Sequence, residues 1–212
     1  MGVEEEKRLA AAAAAELVED GMVVGLGTGS TVGHFLPALA AQGLRLRCVA
    51  TSPETQARAR ELGLAVEPFD ELERLDIAVD GADQVAPDGW VVKGGGAAHT
   101  REKVVAAAAD RFVAIVSADK LVETIGPPIP LELLAYGVRS TLARAGPAEL
   151  RAVPPSPDGG LIADYLGTVG NPAELAARLS AIPGVVEHGL FPPELVSEVL
   201  IGRGDRVERL SR

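Results

Sequence analysis

Short apolar runs alternate with helix-length segments over the first half of the chain, and this rhythm constrains the fold more than any other feature. The runs are apolar enough to be strands buried on both faces, as in a parallel sheet covered by helices. The predicted strands are 22–26, 44–50, 75–79 and 112–116, and the predicted helices are 4–18, 30–41, 53–62 and 100–109. This βαβ order predicts an α/β fold: a Rossmann-like, mainly parallel sheet with helices on both faces.

The pattern changes after a proline-rich stretch at residues 126–130. Strand-like runs follow at 131–135, 150–153, 161–165 and 185–190, with helical segments at 138–145 and 172–182. The order βαββαβ is that of a smaller α+β, ferredoxin-like domain. The runs 195–201 and 207–210 predict a hairpin that returns to the first domain. We therefore expect a catalytic domain of residues 1–127 with about 203–212, and a small domain of about 128–202.

The charge balance disfavours whole classes of partner. The chain has 20 basic and 30 acidic side chains, a formal net charge of −10, which argues against nucleic acid and against anionic membranes as partners. No apolar run is long enough for a membrane span, and the acidic start lacks the basic region of a signal peptide. The single cysteine excludes a disulfide framework, so we expect a cytoplasmic protein with Cys48 buried in a strand rather than acting as a nucleophile.

Three short polar segments follow predicted strands. They are the first glycine loop (residues 25–31, GLGTGST), the aspartate segment (residues 80–83, DGAD) and the KGGG segment (residues 93–96), which runs on to Thr100, Arg101 and Glu102. The KGGG segment follows a short return strand at 90–92, after a Pro-Asp-Gly turn. Segments at the carboxyl ends of strands in an open α/β sheet converge on one crevice. Glycine amides, carboxylates and an ammonium in one crevice predict an enzyme that acts on a small phosphorylated polyol or sugar.

The first glycine loop matches neither common nucleotide-binding pattern. A dinucleotide fingerprint needs glycine at positions one, three and six and an acid about 20 residues later. Counted from either possible start, the sixth position is Ser30 or Val32, and no acid ends the second strand. No Gly-Lys-Ser/Thr of a Walker loop is present. Two interpretations remain: a phosphate site of amides and hydroxyls at a helix N-terminus, or a tight turn in which Ser30 caps the helix.

The carboxylates of the other segments suit proton transfer better than metal binding. Asp80 and Asp83 lack the neighbouring oxygen or histidine ligands that a metal needs, and suit hydroxyl recognition or proton shuttling; a structural Asx turn is the alternative for one of them. Glu102 follows Lys93, the glycines and Thr100, which is the expected N-cap of the helix. Partial desolvation there would raise the pKa of Glu102 above the ordinary value of about 4.3, as suits a general base. We expect His99, one turn earlier, to be a surface residue, and the other two histidines to be structural.

Lysine is rare in this chain. Only four of the 20 basic side chains are lysine. Two of these, Lys93 and Lys103, lie at the two ends of the stretch that runs from the KGGG segment past Glu102. A compact ammonium can point at one oxygen atom, whereas a guanidinium presents a planar fork. Lys93 and Lys120 are therefore candidate substrate contacts, with chance clustering as the alternative. Lys103 neighbours Glu102 and is expected to face elsewhere on the helix.

Five stretches of the chain together resemble a known family. The stretches GLGTGSTVGHF, VDGADQV, KGGGAAHTREK and SADK, followed by IPGVVEHGLF, resemble ribose-5-phosphate isomerase of the A type in order and spacing over essentially the whole chain. The resemblance implies an isomerase of the non-oxidative pentose phosphate pathway that interconverts D-ribose 5-phosphate and D-ribulose 5-phosphate through a cis-enediolate, without cofactor or metal. It also implies a homodimer or homotetramer, with the small domain as the expected interface. Gln84, where an acid is expected, and His99, where an apolar residue is expected, depart from the family pattern.

The resemblance further implies a role for each matching residue. Glu102 would be the general base that moves a proton between C2 and C1. Asp80 and Asp83 would assist ring opening and hold hydroxyls, and Lys93 would help stabilise the oxyanion. The residues expected around the substrate are Lys7 and Lys120, as phosphate contacts, with Thr28, Gly29, Ser30, Thr31, Gly81, Ala82, Gly94, Gly95 and Gly96.

Three other functions stay open from the sequence. An amino-sugar-phosphate isomerase/deaminase would act on an amino sugar phosphate and not on ribose 5-phosphate. A Schiff-base aldolase using Lys93 would be trapped by borohydride in the presence of its substrate. A non-catalytic sugar-phosphate sensor would bind its ligand without turnover. Such sensors usually carry a DNA-binding segment, for which this chain has neither the room nor the charge.

Overall fold

The structure, a computed structural model, describes residues 2–211 and divides them into two compact units. Unit 1 comprises the residues up to Ala82, Arg101–Leu121 and the residues from Glu194 on, and unit 2 comprises Asp83–Thr100 and Val122–Pro193. The units differ from the expected domains at residues 83–100 and 122–127, which are grouped with unit 2, and at residues 194–202, which are grouped with unit 1. None of the described helices has the length and apolar character needed to cross a membrane.

Thirteen strands and six α-helices are described between residues 2 and 211. The strands are β1 (Val23–Leu26), β2 (Arg47–Ala50), β3 (Ile77–Asp80), β4 (Gln84–Val85), β5 (Val91–Val92), β6 (Phe112–Ser117), β7 (Ile129–Leu133), β8 (Ala148–Leu150), β9 (Leu161–Tyr165), β10 (Val185–His188), β11 (Leu190–Phe191), β12 (Glu198–Arg203) and β13 (Arg206–Ser211). The helices are α1 (Val3–Ala15), α2 (Ser30–Ala40), α3 (Pro53–Glu61), α4 (His99–Ala108), α5 (Val138–Ala145) and α6 (Pro172–Ser180). Short 3₁₀ helices lie at Ala118–Lys120 and Pro193–Leu195.

Unit 1 contains a six-stranded sheet in the order β13-β12-β6-β3-β1-β2. Its neighbouring strands run parallel from β12 to β2, and the β12–β13 hairpin forms an antiparallel edge. All residues of β3 and β6 are buried, because helices cover the sheet. The core joins alanines of α1 and Phe35 and Leu39 of α2 to side chains of the sheet. The predicted α/β fold with a mainly parallel sheet is confirmed, and so is the hairpin that returns to this sheet.

Unit 2 contains a four-stranded antiparallel sheet in the order β10-β7-β9-β8, with α5 and α6 between its strands in the chain. This is the predicted βαββαβ arrangement, with the first and third strands at the centre. Alternate residues of β7 point to opposite faces. Leu131 and Leu133 pack into one apolar cluster with Leu175 and Leu179 of α6, so the helices cover this face.

The strand that precedes the KGGG segment does not belong to the parallel sheet. The two-residue strand β5 forms a separate three-stranded sheet, in the order β11-β5-β4, and pairs antiparallel with both neighbours. Val92 lies opposite Gln84 on one side and Leu190 on the other. The expectation that all three polar segments follow strands of one open sheet is therefore wrong for the KGGG segment. One of the two partner strands of β5, Leu190–Phe191, lies about 100 residues further along the chain.

Candidate active site

The predicted site residues form two groups, one in each unit. Unit 1 holds Lys7, Thr28, Gly29, Ser30, Thr31, Asp80, Gly81, Ala82, Glu102 and Lys120, and unit 2 holds Asp83, Lys93, Gly94, Gly95 and Gly96. The chain passes directly from one group to the other between Ala82 and Asp83.

The first glycine loop ends at the N-terminus of α2. Gly29, with φ +119°, is the N-cap residue, and Ser30 is the first residue of the helix. The alternative in which Ser30 caps the helix is therefore wrong. Glycine has no side chain to bond the first-turn amides, and both Gly29 and Ser30 are exposed. A helix N-terminus of this kind suits an anion such as a phosphate.

Asp80 links the aspartate segment to the first glycine loop. It ends β3, is 3% exposed, and its Oδ1 accepts hydrogen bonds from the Thr28 amide (3.0 Å) and the Gly81 amide (2.7 Å). A Cβ atom on Gly27 would come closer than 3.0 Å to the Asp80 carboxyl, so this approach requires glycine. The Thr28 hydroxyl is also held, 2.7 Å from the hydroxyl of Thr51. The structure thus brings Thr28, Asp80 and Gly81 together.

Glu102 is a buried carboxylate in the first turn of α4, with 3% of its surface exposed. The helix that carries it packs closely on the sheet: a Cβ atom on Gly25 of β1 would come closer than 3.0 Å to Val105. This close approach holds α4 against a central strand, one turn after Glu102. The carboxylate that the sequence predicts as the general base is thus buried on a helix packed against the sheet.

The two candidate phosphate lysines lie on segments that are tied to each other. Lys7, on α1, has its Nζ 2.6 Å from Glu4 Oε1. The neighbouring Glu6 accepts a hydrogen bond from the amide of Ala118 (3.2 Å). Ala118 is the first residue of the 3₁₀ helix that ends at Lys120. Sequence reasoning missed Glu6, because one acid in an acidic helix start gives no signal of a long-range contact.

In unit 2 the KGGG segment is held at several points. Lys93 is 2% exposed, its amide donates to Gly189 O (2.9 Å), and its Nζ lies 5.7 Å from the centroid of the Phe191 ring. The Gly95 amide donates to Asp83 Oδ2 at 2.7 Å. The structure thus brings Asp83 to the KGGG segment, and places a buried ammonium beside an aromatic face.

Two expectations about the start of α4 are wrong. His99 is fully buried rather than a surface residue, and Gly94, with φ +111°, leaves the space that its ring occupies. Thr100 is not the N-cap, because α4 begins at His99. The Thr100 hydroxyl instead donates to Glu132 Oε2 at 2.5 Å. Glu132 is a buried residue of β7 that also accepts a hydrogen bond from the Ser156 hydroxyl. Sequence reasoning missed Glu132, although an acid within an otherwise apolar strand could have indicated a buried polar contact.

Cys48 is too deeply buried to act as a nucleophile. It is fully buried, and burial raises the pKa of its thiol to about 12, so no thiolate forms near neutral pH. This confirms the predicted buried strand thiol. No three histidine, cysteine, aspartate or glutamate side chains come together as a metal-ligand set within residues 2–211.

Comparison with known proteins identifies the family. Residues 47–206 match the family model of ribose 5-phosphate isomerase A (phosphoriboisomerase A). The ribose-5-phosphate isomerase A of Caulobacter sp. (strain K31) is 44% identical over 99% of both chains. The structure is similar to that of ribose 5-phosphate isomerase A from Methanocaldococcus jannaschii (TM-score 0.93, 34% identity, 99% of both chains), and to a D-ribose-5-phosphate isomerase in complex with phospho-erythronic acid (TM-score 0.94, 33% identity, 100% of both chains). The chain belongs to the ribose 5-phosphate isomerase A family.

Proposed function

We propose that this member of the ribose 5-phosphate isomerase A family interconverts D-ribose 5-phosphate and D-ribulose 5-phosphate, with Glu102 as the general base. The reaction is supported by relatives that are named ribose-5-phosphate isomerase A and are 44–45% identical to this chain over 99% of its length. The assignment of the base rests on the buried carboxylate of Glu102 at the start of α4. The enzyme is an aldose–ketose isomerase of the non-oxidative pentose phosphate pathway.

The proposed reaction moves one proton from C2 to C1 and one from the C2 oxygen to the C1 oxygen, and it leaves the overall oxidation state of the sugar phosphate unchanged. After ring opening, Glu102 removes the proton from C2 while the C1 carbonyl oxygen gains negative charge, which gives the cis-enediolate. The proton returns to C1, the C2 hydroxyl loses its proton and becomes the carbonyl of the ketose, and the oxygen on C1 takes up a proton and becomes a hydroxyl. A positioned base contributes about 10²–10⁴-fold, so stabilisation of the oxyanion must supply much of the remaining acceleration.

The other charged residues take the remaining steps of this proposal. The Lys93 ammonium stabilises the developing oxyanion, since an ammonium removed from water interacts strongly with new negative charge. Asp80 and Asp83 hold sugar hydroxyls and assist ring opening. These reactions need no cofactor and no metal.

The phosphate is assigned to the N-terminus of α2, with the amides and hydroxyls of Gly29, Ser30 and Thr31, and to Lys7 and Lys120. The exposure of Gly29 and Ser30 at the N-terminus of α2 supports this assignment, since a helix N-terminus favours an anion. The related structure that contains phospho-erythronic acid supports the same ligand class. That acid combines a phosphate with a carboxylate, which resembles the charge of an enediolate.

The assembly and location stay predictions. We propose a cytoplasmic homodimer or homotetramer in which residues of about 128–202 form the interface. Exposed apolar side chains in unit 2 support this: Tyr136 is 94% exposed, Leu134 53% and Val186 43%. The edge strand β10 carries Val186, and an unpaired edge is a ready place for a second chain to pair.

The test compares three chelator-treated proteins: the wild type, Glu102→Gln and Glu54→Gln. Glu54 lies in the first turn of α3, is exposed and serves as a matched control for charge loss at a helix start. We expect ketose formation from ribose 5-phosphate by the wild type and Glu54→Gln, and loss of nearly all turnover with intact substrate binding in Glu102→Gln. A Glu102→Gln enzyme that turns over but binds weakly would contradict the assignment of the base, and a wild type that binds without turnover would contradict the reaction.

A further inference from the structure

The polar face of the four-stranded sheet in unit 2 carries the KGGG segment. The helix-covered face takes Leu131 and Leu133, so by strand alternation Pro130 and Glu132 lie on the opposite face. A Cβ atom on Gly94 would come closer than 3.0 Å to the Pro130 side chain, which places the segment against this face. The four-stranded sheet of unit 2 therefore supports the KGGG segment, which carries residues assigned to the reaction. This role is additional to the proposed role of the sheet in the oligomer interface.

Arg151 bridges this sheet and the KGGG segment. It follows β8, and its Nε and Nη2 donate to the two carboxylate oxygens of Asp164 on β9 at 2.7 and 2.6 Å. Its Nη1 donates to the carbonyl oxygen of Gly94 at 2.8 Å and lies 3.4 Å from that of Gly95. The two carboxylate contacts fix the guanidinium plane, which leaves Nη1 aimed at the glycines.

The charges around Arg151 strengthen this arrangement. Its side chain is 17% exposed and that of Asp164 20%, so water screens the pair only in part. The Asp164 carboxylate raises the pKa of Arg151 above its ordinary value, and the charge of Asp83 acts in the same direction. The guanidinium therefore stays protonated and oriented throughout the working pH range.

The KGGG segment needs such a restraint because its own residues do not determine its conformation. Gly94 has φ +111°, and Ala97 has φ +60°, a region that residues with a Cβ atom rarely adopt. Arg151 holds the carbonyl side of the segment, and the amide of Gly95 donates to Asp83 Oδ2 at 2.7 Å. The position of the Asp83 carboxylate is thus tied to Arg151 through one residue.

We propose that Arg151, oriented by Asp164, is a positioning residue for the isomerisation, because it fixes the Gly94 and Gly95 carbonyls and through them the Asp83 carboxylate. The inference rests on the proposed function, since it concerns the rate of that reaction. Arg151 touches no reacting atom in this role. Its loss displaces a group that must meet the sugar hydroxyls, and a displacement of about 1 Å can cost about 10²-fold in rate.

The experiment measures kcat, KM and Tm for the wild type, Arg151→Ala, Arg151→Lys, Asp164→Asn and Arg178→Ala. Arg178 is the matched control, because its Nη1 also donates to a backbone carbonyl of unit 2, that of Ala145, away from the KGGG segment. We expect kcat to fall about 10²-fold in Arg151→Ala, and less in Arg151→Lys, which keeps one charged donor but not the fork. We expect Asp164→Asn to lower kcat as well, and the kcat of Arg178→Ala to stay within twofold of the wild-type value.

Two results would overturn the inference. One is a kcat of Arg151→Ala and Asp164→Asn within twofold of the wild type at a temperature where both are folded. The other is an equal loss in Arg178→Ala, which would indicate general destabilisation of unit 2. An inactive wild type would overturn the proposed function itself together with this inference, so the two failures are told apart by the wild-type assay.

Discussion

Gly27→Ala should damage the proposed active site through a single added methyl group. The new Cβ atom would come closer than 3.0 Å to the Asp80 carboxyl, and Asp80 is only 3% exposed. The carboxylate must turn away, and its Oδ1 then gives up the hydrogen bonds from the Thr28 and Gly81 amides.

The expected cost follows from these contacts. Overpacking costs about 1–3 kcal/mol, and each lost hydrogen bond to a charged group costs about 1.5–3 kcal/mol when no other partner replaces it. Because the displaced carboxylate of Asp80 regains some hydrogen bonds, a net loss of about 3 kcal/mol is expected, which lowers Tm by about 6–12 °C for a chain of this size. We also expect kcat/KM to fall about 10²-fold, since Asp80 is displaced by about 1 Å or more.

Thermal unfolding followed by circular dichroism, with the ketose assay in parallel, measures both effects. Gly33→Ala is the matched control: Gly33 lies inside α2, and a Cβ atom there has nothing within 4 Å. The control should raise stability by about 0.5–1 kcal/mol, because alanine is the better helix former. A Gly27→Ala protein with wild-type Tm and kcat/KM would refute the close approach of Gly27 to Asp80.

Two further predictions follow from side-chain environments. Lys120→Ala should raise KM for ribose 5-phosphate by about tenfold with kcat within twofold, because one charge-assisted contact to the phosphate is lost; initial-rate kinetics measure this, and an unchanged KM would remove Lys120 from the phosphate site. Cys48, whose thiol pKa burial raises to about 12, should not react with Ellman's reagent at pH 8 in the folded enzyme and should give one equivalent after denaturation. Reaction in the folded state at the rate of a free thiol would show that Cys48 is not buried.

The elements with a regular apolar pattern could be predicted from the sequence. The residues of α5 and of β9 were predicted with the same bounds as observed, and β3 and β6 within two residues. Each of these segments buries one face or both, so its pattern of apolar residues already contains the information that fixes it.

The start of α4 and the place of β5 could not be predicted in the same way. Thr100 resembles an N-cap residue, but its hydroxyl bonds Glu132, a residue of another strand. β5 has two residues, and its sheet is set by pairing with Leu190–Phe191. In both cases the deciding contact comes from a part of the chain far away in sequence.

The same division holds for the candidate site. The three polar segments were recognisable, because glycines next to acids after strands have few structural reasons to occur together. Arg151 and Asp164 were not, since an arginine after one strand and an aspartate on the next are ordinary in a surface hairpin. Arg151 is aimed at Gly94 and Gly95 by its contacts with Asp164, which exist only once β8 and β9 have paired.

The most direct test of the central claim follows the hydrogen at C2. Ribose 5-phosphate deuterated at C2 is incubated with the wild type and with Glu102→Gln, and deuterium is measured at C1 of the ketose and in the solvent. Proton transfer by Glu102 predicts a slower reaction than with unlabelled substrate. With the wild type the deuterium appears at C1 of the ketose or in the solvent, and with Glu102→Gln it appears in neither place. Transfer of deuterium to C1 or its release into the solvent by Glu102→Gln at the wild-type rate would contradict a mechanism in which Glu102 removes the C2 proton.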